Sequence, residues 1–230
     1  MRNVIYQQFK LSVMAALALI AIAIVYPAFG ASTPWELVSK AELTFKDFKG
    51  DPQMHWIRDH IRDAKAVIIA PEIRKAGFVI GGSGGRAVLL ARDPDTGLFS
   101  GPAFYTIARA SIGFQAGIEK SEVVMLVMTE KSLNRLLSSQ FKLGGDASIA
   151  AGPVGMGAET SVTSDVVAFS RAKGIYGGVN LDGTAVTVND EWNRQYYGKT
   201  VTPTDILVRR SVMNPDAEKL LQIIAQASIN

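Results

Sequence analysis

The stretch FVIGGSGGRAVLLAR (residues 78–92) decides how this chain is read. Four glycines and a serine stand inside an apolar run. Folding removes more freedom from glycine than from any other residue, so this density predicts bulges, tight bends or close backbone contacts. The same texture returns in GPAFYTIARASIGFQAGIE (101–119), KLGGDASIAAGPVGMGA (142–158) and AFSRAKGIYGGVNLDG (168–183). These segments hold almost no groups suited to covalent chemistry, which points to a binding scaffold rather than an enzyme.

Outward from that core, short strands are expected at 78–80, 87–91, 103–108, 123–128, 160–170 and 185–188, with 66–71 a buried strand or turn. Asp93-Pro-Asp-Thr-Gly97 and Leu181-Asp-Gly-Thr184 supply turn dihedrals between them. Residues 31–65 read as helical, with Ser39 as N-cap and Glu42 three residues on. Gly50-Asp51-Pro52 breaks that helix, and Met54, Ile57, Ile61 and Ala64 form an apolar stripe in the next. Thr129 caps an intervening helix. Thr202-Pro203 and Asn214-Pro215 each open one near the end of the chain. Sequential strands with helices at both ends predict an α+β domain: a mostly antiparallel sheet or partly closed barrel flanked by N- and C-terminal helices.

At 230 residues, 48% hydrophobic and 20% charged, the chain can bury one good core. Arg2 and Lys10 precede an apolar run over 11–26, and Ala28 and Gly30 offer small residues at a cleavage point. Residues 1–30 therefore read as a secretory signal peptide, the alternative being a retained membrane anchor. Residues 31–230 then form a single domain with 22 basic and 21 acidic residues, and no nucleic-acid-binding surface is indicated. With no cysteine there is no disulfide or thiolate site, and no cofactor or metal is expected.

Candidate chemistry is sparse. Gly81-Gly-Ser83-Gly-Gly85 matches a nucleophile-elbow pattern, but a strand follows it and His55 and His60 both precede it, so a glycine-rich turn is the better reading. The histidines, five residues apart, cannot share a metal as an i, i+4 pair would and read as surface groups. Asp59 and Asp63 with Arg58 and Arg62 read as a solvated ion-pair face. Arg74 and Lys75, with Arg86 and Arg92 near in sequence, form the densest positive charge, suited to an anionic lipid surface or simply to water. Lys40 and Lys46, with Phe45 and Phe48, suit a helix lying on a membrane; packing of that face on its own domain is the alternative.

Five stretches together resemble the SYLF domain family: AKAVIIAPEIRKAGFVIGGSGGRAVLLAR, SGPAFYTIARASIGFQAGIEKSEVVMLVMTE, FKLGGDASIAAGPVG, AFSRAKGIYGGVNLDG and RQYYGKTVTPTDIL, from Ala64 to Leu207 in the family's order. Phe99 departs conservatively from a Trp common there. The resemblance implies phospholipid binding, phosphoinositides included, without catalysis. Actin binding carries over less readily, because the N-terminus suits a bacterial envelope. The expectation is a lipid-binding module of the periplasm or cell surface, peripherally membrane-associated, contacting anionic phospholipid through Arg74, Lys75, Arg86, Lys40, Lys46, Phe45 and Phe48. An envelope module with a protein partner is the alternative, and an enzyme would rest on Ser83 alone.

Overall fold

Thr33-Pro34 starts the first helix, α1 (Pro34–Gly50): proline's fixed φ suits the first helical position, and Thr33 Oγ1 accepts from the Glu36 amide at 3.2 Å. Ser39, the expected cap, lies one turn inside, where its hydroxyl donates to the Trp35 carbonyl at 3.1 Å. The computed structural model describes residues 33–77, 80–112, 117–155, 163–179 and 181–228. The expected signal peptide, 1–30, and parts of the strands expected at 78–80 and 160–170 lie outside them.

Gly50 ends α1 as expected. Asp51 then caps a 3-10 turn, Pro52–Met54, that leads into α2 (His55–His60). Arg58 donates to the carbonyls of Lys49 and Asp51, both at 2.8 Å, so it closes the α1–α2 corner rather than joining an ion-pair face. His60 is stacked on Trp56 at 3.9 Å and is half-buried, not a plain surface residue.

The strands are β1 (Ala66–Gly77), β2 (Ile80–Arg92), β3 (Phe99–Ile112), β4 (Gly117–Val127), β5 (Gln140–Lys142), β6 (Ile149–Ala151), β7 (Val166–Ala172), β8 (Ile175–Gly178) and β9 (Ala185–Val188). They form one sheet in the order β5-β9-β3-β2-β1-β4-β7-β6, with β8 also on β7. Every pairing is antiparallel except β6 with β7. The sheet curls into a half-barrel, and the domain is α+β as the sequence predicts. Its remaining helices are α3 (Glu130–Leu136), α4 (Asp190–Tyr197), α5 (Pro203–Leu207) and α6 (Glu218–Ala227). Thr129 and Thr202 cap α3 and α5 through their side chains, and Asn214 caps a 3-10 turn that enters α6.

Alternation along the strands sends side chains into two cores. Val67, Ile69, Val88, Leu90, Phe104, Val124, Leu126 and Phe169 face one way, onto α1, α2, α4 and α6. Ile68, Ala87, Leu89, Tyr105, Met125 and Ala168 face the other way, where α3, α5 and β5 close over them. Both layers are built of buried apolar side chains, and each fully buried Leu, Ile or Phe contributes about 1.5–3 kcal/mol. Toward the far end of the sheet the first layer ends at Ile69 on β1 and Phe104 on β3, and the second one step later, at Ile73 and Ile107.

Gly81-Gly-Ser83-Gly-Gly85 is not a turn. It lies within β2, paired to β1 and β3 throughout. Gly85 meets a bulge at Pro71 in β1, where the register shifts against both β2 and β4. Proline cannot donate to the ladder, and the displaced strand brings the Glu72 carbonyl to within 2.2 Å of where a Cβ on Gly85 would stand. The close backbone contact foreseen for these glycines is realised there.

Candidate functional site

Beyond the bulge, four strands run on together, residues 72–77 of β1, 80–86 of β2, 106–112 of β3 and 117–121 of β4, with Ile73 and Ile107 still in the second core. β9 pairs with β3 only as far as Ala108, and β7 pairs with β4 only from Ser121. Among the described residues, 109–112 and 117–120 therefore have a neighbour on one side only. Gly77 stands opposite Gly81 and Gly117, and Ile80 opposite Ile112, so all four strands end at the same level.

This extension is where the charge lies. It carries Arg74, Lys75, Arg86, Arg109 and Lys120 against Glu72 and Glu119. Residues 31–230 hold 22 basic and 21 acidic groups, so the rest of that span is left with 17 and 19. A nearly neutral span is thus polarised, with its positive charge on one end of the sheet.

The register places the cations on both faces. Arg74 stands opposite Lys120 on one side and Gly84 on the other. Lys75 shares the opposite face with Ser83, Arg109 and Glu119, all in one cross-strand row. Arg74, Lys75, Arg109 and Lys120 each lie two or three residues from the strand ends, roughly 7–10 Å at about 3.3 Å per residue. Glu72 is shared by Arg74, through its Nε, and by Lys120 at 3.6 Å. Burial opposes ionisation of Glu72, but the hydrogen bond and charge of Arg74, aided by Lys120 and Lys40, hold its carboxyl below the usual range.

The expected site residues are only partly gathered. Arg74 and Lys75 belong to this end. Arg86 is on the same strands but three residues deeper, with its guanidinium 4.2 Å from the centre of the Trp192 ring, where burial lowers its pKa. Lys40 lies on α1 and pairs with Glu36 at 2.7 Å, while Lys46 is exposed elsewhere on that helix. Phe45 and Phe48 are fully buried in the core beneath α1 and present no surface to a membrane. Their periodicity suits either environment, and the sheet supplies the nearer one. Leu43, also apolar and on the same helix, is exposed at 59%. Arg92 is structural: it donates to the carbonyls of Ile61, Ala64 and Gly97 and covers Phe99.

Sequence reasoning missed Arg109 and Lys120. Neither stands in a basic cluster along the chain; only cross-strand register brings them beside Arg74 and Lys75. Ser83 lies mid-strand between Lys75 and Arg109, and both histidines are on α2, so no strand-to-helix elbow forms around it.

A second feature adjoins the same face. A cavity of about 230 Å³ is lined by Pro71, Glu72, Lys120, Ser121, Glu122, Arg171, Lys173 and Gly174. Arg171 on β7 ties it to α1: its Nε bonds Glu122, its Nη2 lies 2.8 Å from Asp47, and its Nη1 donates to Tyr176 at 3.1 Å. Thr44 of α1 donates to Glu122 at 3.0 Å. The Glu122 contact, outweighing burial and joined by Asp47, lifts the Arg171 pKa above the usual guanidinium range.

The fold is thus a two-cored α+β domain with basic side chains gathered at one end of its sheet. Comparison with known proteins gives the family. The profile described as "Las17-binding protein actin regulator" (Ysc84) matches residues 108–227. The chain belongs to this family, the SYLF domain proteins. It is 34% identical over 179 residues to Protein YSC84 of Saccharomyces cerevisiae, covering 74% of this chain and 37% of that one. LAS seventeen-binding protein 3 of the same species is 33% identical over 181 residues, 75% of this chain and 39% of that one. The human SH3 domain-containing YSC84-like protein 1 is 31% identical over 169 residues, 71% of this chain and 49% of that one. The chain therefore spans less than half the length of these relatives.

Proposed function

We propose that this chain is a non-enzymatic module that binds anionic phospholipid surfaces through the end of its sheet extension. The observation that carries this reading is the ring of Arg74, Lys75, Arg109 and Lys120 on both faces of one sheet end, in a span that is otherwise slightly acidic. Cations on both faces let the sheet approach a bilayer end-on with phosphate groups on either side. Each is worth about 1 kcal/mol close to an anionic surface, falling off over a Debye length of about 10 Å at 0.1 M salt. Four such contacts give weak binding that salt should reverse. The place of action is the periplasm or cell surface, to which the N-terminal sequence would deliver the chain.

Co-sedimentation of the purified protein with neutral and phosphatidylglycerol-rich vesicles, at two salt concentrations, tests this. Salt-sensitive pelleting with anionic vesicles alone is expected, and Arg74→Glu with Lys75→Glu should abolish it. Undiminished pelleting of that double variant would remove the sheet end from the contact. The names of the relatives, one of them a LAS seventeen-binding protein, favour a second reading in which the partner is a protein. Lipid-independent capture of one stoichiometric partner, with no vesicle binding, would select it.

A further inference from the structure

The cavity beside the bulge is built unlike the rest of the polar surface. Its two carboxylates are committed: Glu72 to Arg74 and Lys120, and Glu122 to Arg171 and Thr44. Asp47 behind them is held by Arg171. Lys173 is not matched in this way. It is exposed, and it has no carboxylate partner among the described residues.

Lys173 is also held in an unusual backbone state. With Gly174 it makes the two-residue turn joining β7 to β8, at φ 51° and 77°, the left-handed pair that hairpin twist demands. Asn or Gly would meet that demand with less strain, and a lysine there costs a little stability. The turn makes Lys173 part of the lining of a cavity that Lys120 and Arg171 also line. β4 loses its β7 partner at Ser121, next to Lys120 in the cavity lining. The volume is several times the about 30 Å³ share of one water, enough for a tetrahedral oxyanion and part of its substituent.

We propose that this cavity is a binding site for a phosphate ester group, with Lys173 and Lys120 supplying the charge and Arg171, fixed by Glu122 and Asp47, forming its rigid wall. A cation is disfavoured because both carboxylates are already neutralised. The group could arrive on a lipid headgroup or as a free phosphate ester; the membrane source rests on the function proposed above, the site itself does not.

The test is amide chemical-shift titration of the protein with glycerol phosphate, against sodium chloride at matched ionic strength. Saturable shifts at Ser121, Lys173 and Gly174 are expected with the phosphate ester and not with chloride. Lys173→Gly keeps the turn, since glycine accepts its φ, and should weaken the affinity about tenfold by removing one charged hydrogen bond. Lys173→Arg should retain it. Shifts absent from those amides, equal shifts in chloride, or unchanged affinity in Lys173→Gly would each overturn the site. Phosphatidylglycerol vesicles separate the sources. Weaker pelleting of Lys173→Gly assigns the phosphate to a lipid, whereas unchanged pelleting with a weakened titration overturns the lipid source and leaves a free ester. A wild type that titrates with glycerol phosphate but pellets with no vesicle would refute the membrane reading and leave the site standing.

Discussion

Replacing Phe48 by Ala separates two fates that the sequence allows for the apolar face of α1. The ring is fully buried, packs edge-on to Tyr176 at 5.1 Å between centres, and has the Arg171 guanidinium 6.0 Å away. Truncating a buried Phe costs about 3–5 kcal/mol through lost transfer energy and the cavity left behind. In a chain of this size each kcal/mol lowers Tm by about 2–4 °C, so a fall of about 6–20 °C is expected. Leu43→Ala, at an exposed position of the same helix, should stay within about 0.5 kcal/mol of wild type. Thermal melting by circular dichroism reads the stability. Vesicle pelleting at a temperature well below both transitions reads the membrane contact, and Phe48→Ala should pellet like wild type. A Tm moved by less than about 2 °C, together with lost pelleting, would refute the reasoning, since it would make Phe48 a membrane-inserting residue rather than a core one.

Three further outcomes are expected. Gly85→Ala would place a Cβ 2.2 Å from the Glu72 carbonyl oxygen and 2.9 Å from Ile73 Cδ1; it should cost about 1–3 kcal/mol in urea unfolding, whereas Gly82→Ala, meeting only the Arg109 carbonyl at 3.4 Å, should be tolerated. Tyr105→Phe leaves the Leu136 carbonyl, now bonded at 2.7 Å, without its buried donor, and should cost about 1–2 kcal/mol by the same measurement. Asp205 is held at about pH 2 by the Thr202 hydroxyl and amide first and by Arg209 next. Because its folded pKa lies below its unfolded value, its contribution is complete above about pH 4 and is lost as pH falls through 2, so Asp205→Asn should flatten the stability slope across that window. An unaltered slope in the variant would remove the capping box as its cause.

Helix ends and turns were legible because their chemistry is local. Thr129, Thr202-Pro203, Asn214-Pro215 and the Asp93–Gly97 turn each satisfy their own backbone within a few residues. Ser39 misled because a hydroxyl followed three residues later by Glu also occurs inside helices, and Thr33-Pro34 was the stronger start. The glycine run misled differently. Read along the chain, GGSGG resembles a turn; read across the sheet, it lets β2 lie close to a bulged neighbour. The candidate site was half legible for the same reason. Arg74 and Lys75 are adjacent in sequence, but Lys120 joins them by pairing with Arg74 from 46 residues away, and Arg109 through Ser83 on the strand between, relations that no local window contains.

The end of the apolar layers, at Ile69 and Phe104 in one and at Ile73 and Ile107 in the other, also divides the molecule's cooperativity. Past that line the four strands are joined by their backbone ladder, and none of their described residues belongs to either apolar core. Amides of residues 74–76 and 81–84 should therefore exchange through a sub-global opening with a free energy well below that of their own strands at 66–70 and 87–91. The chain can then loosen or refasten its charged end while the helices and both cores stay shut.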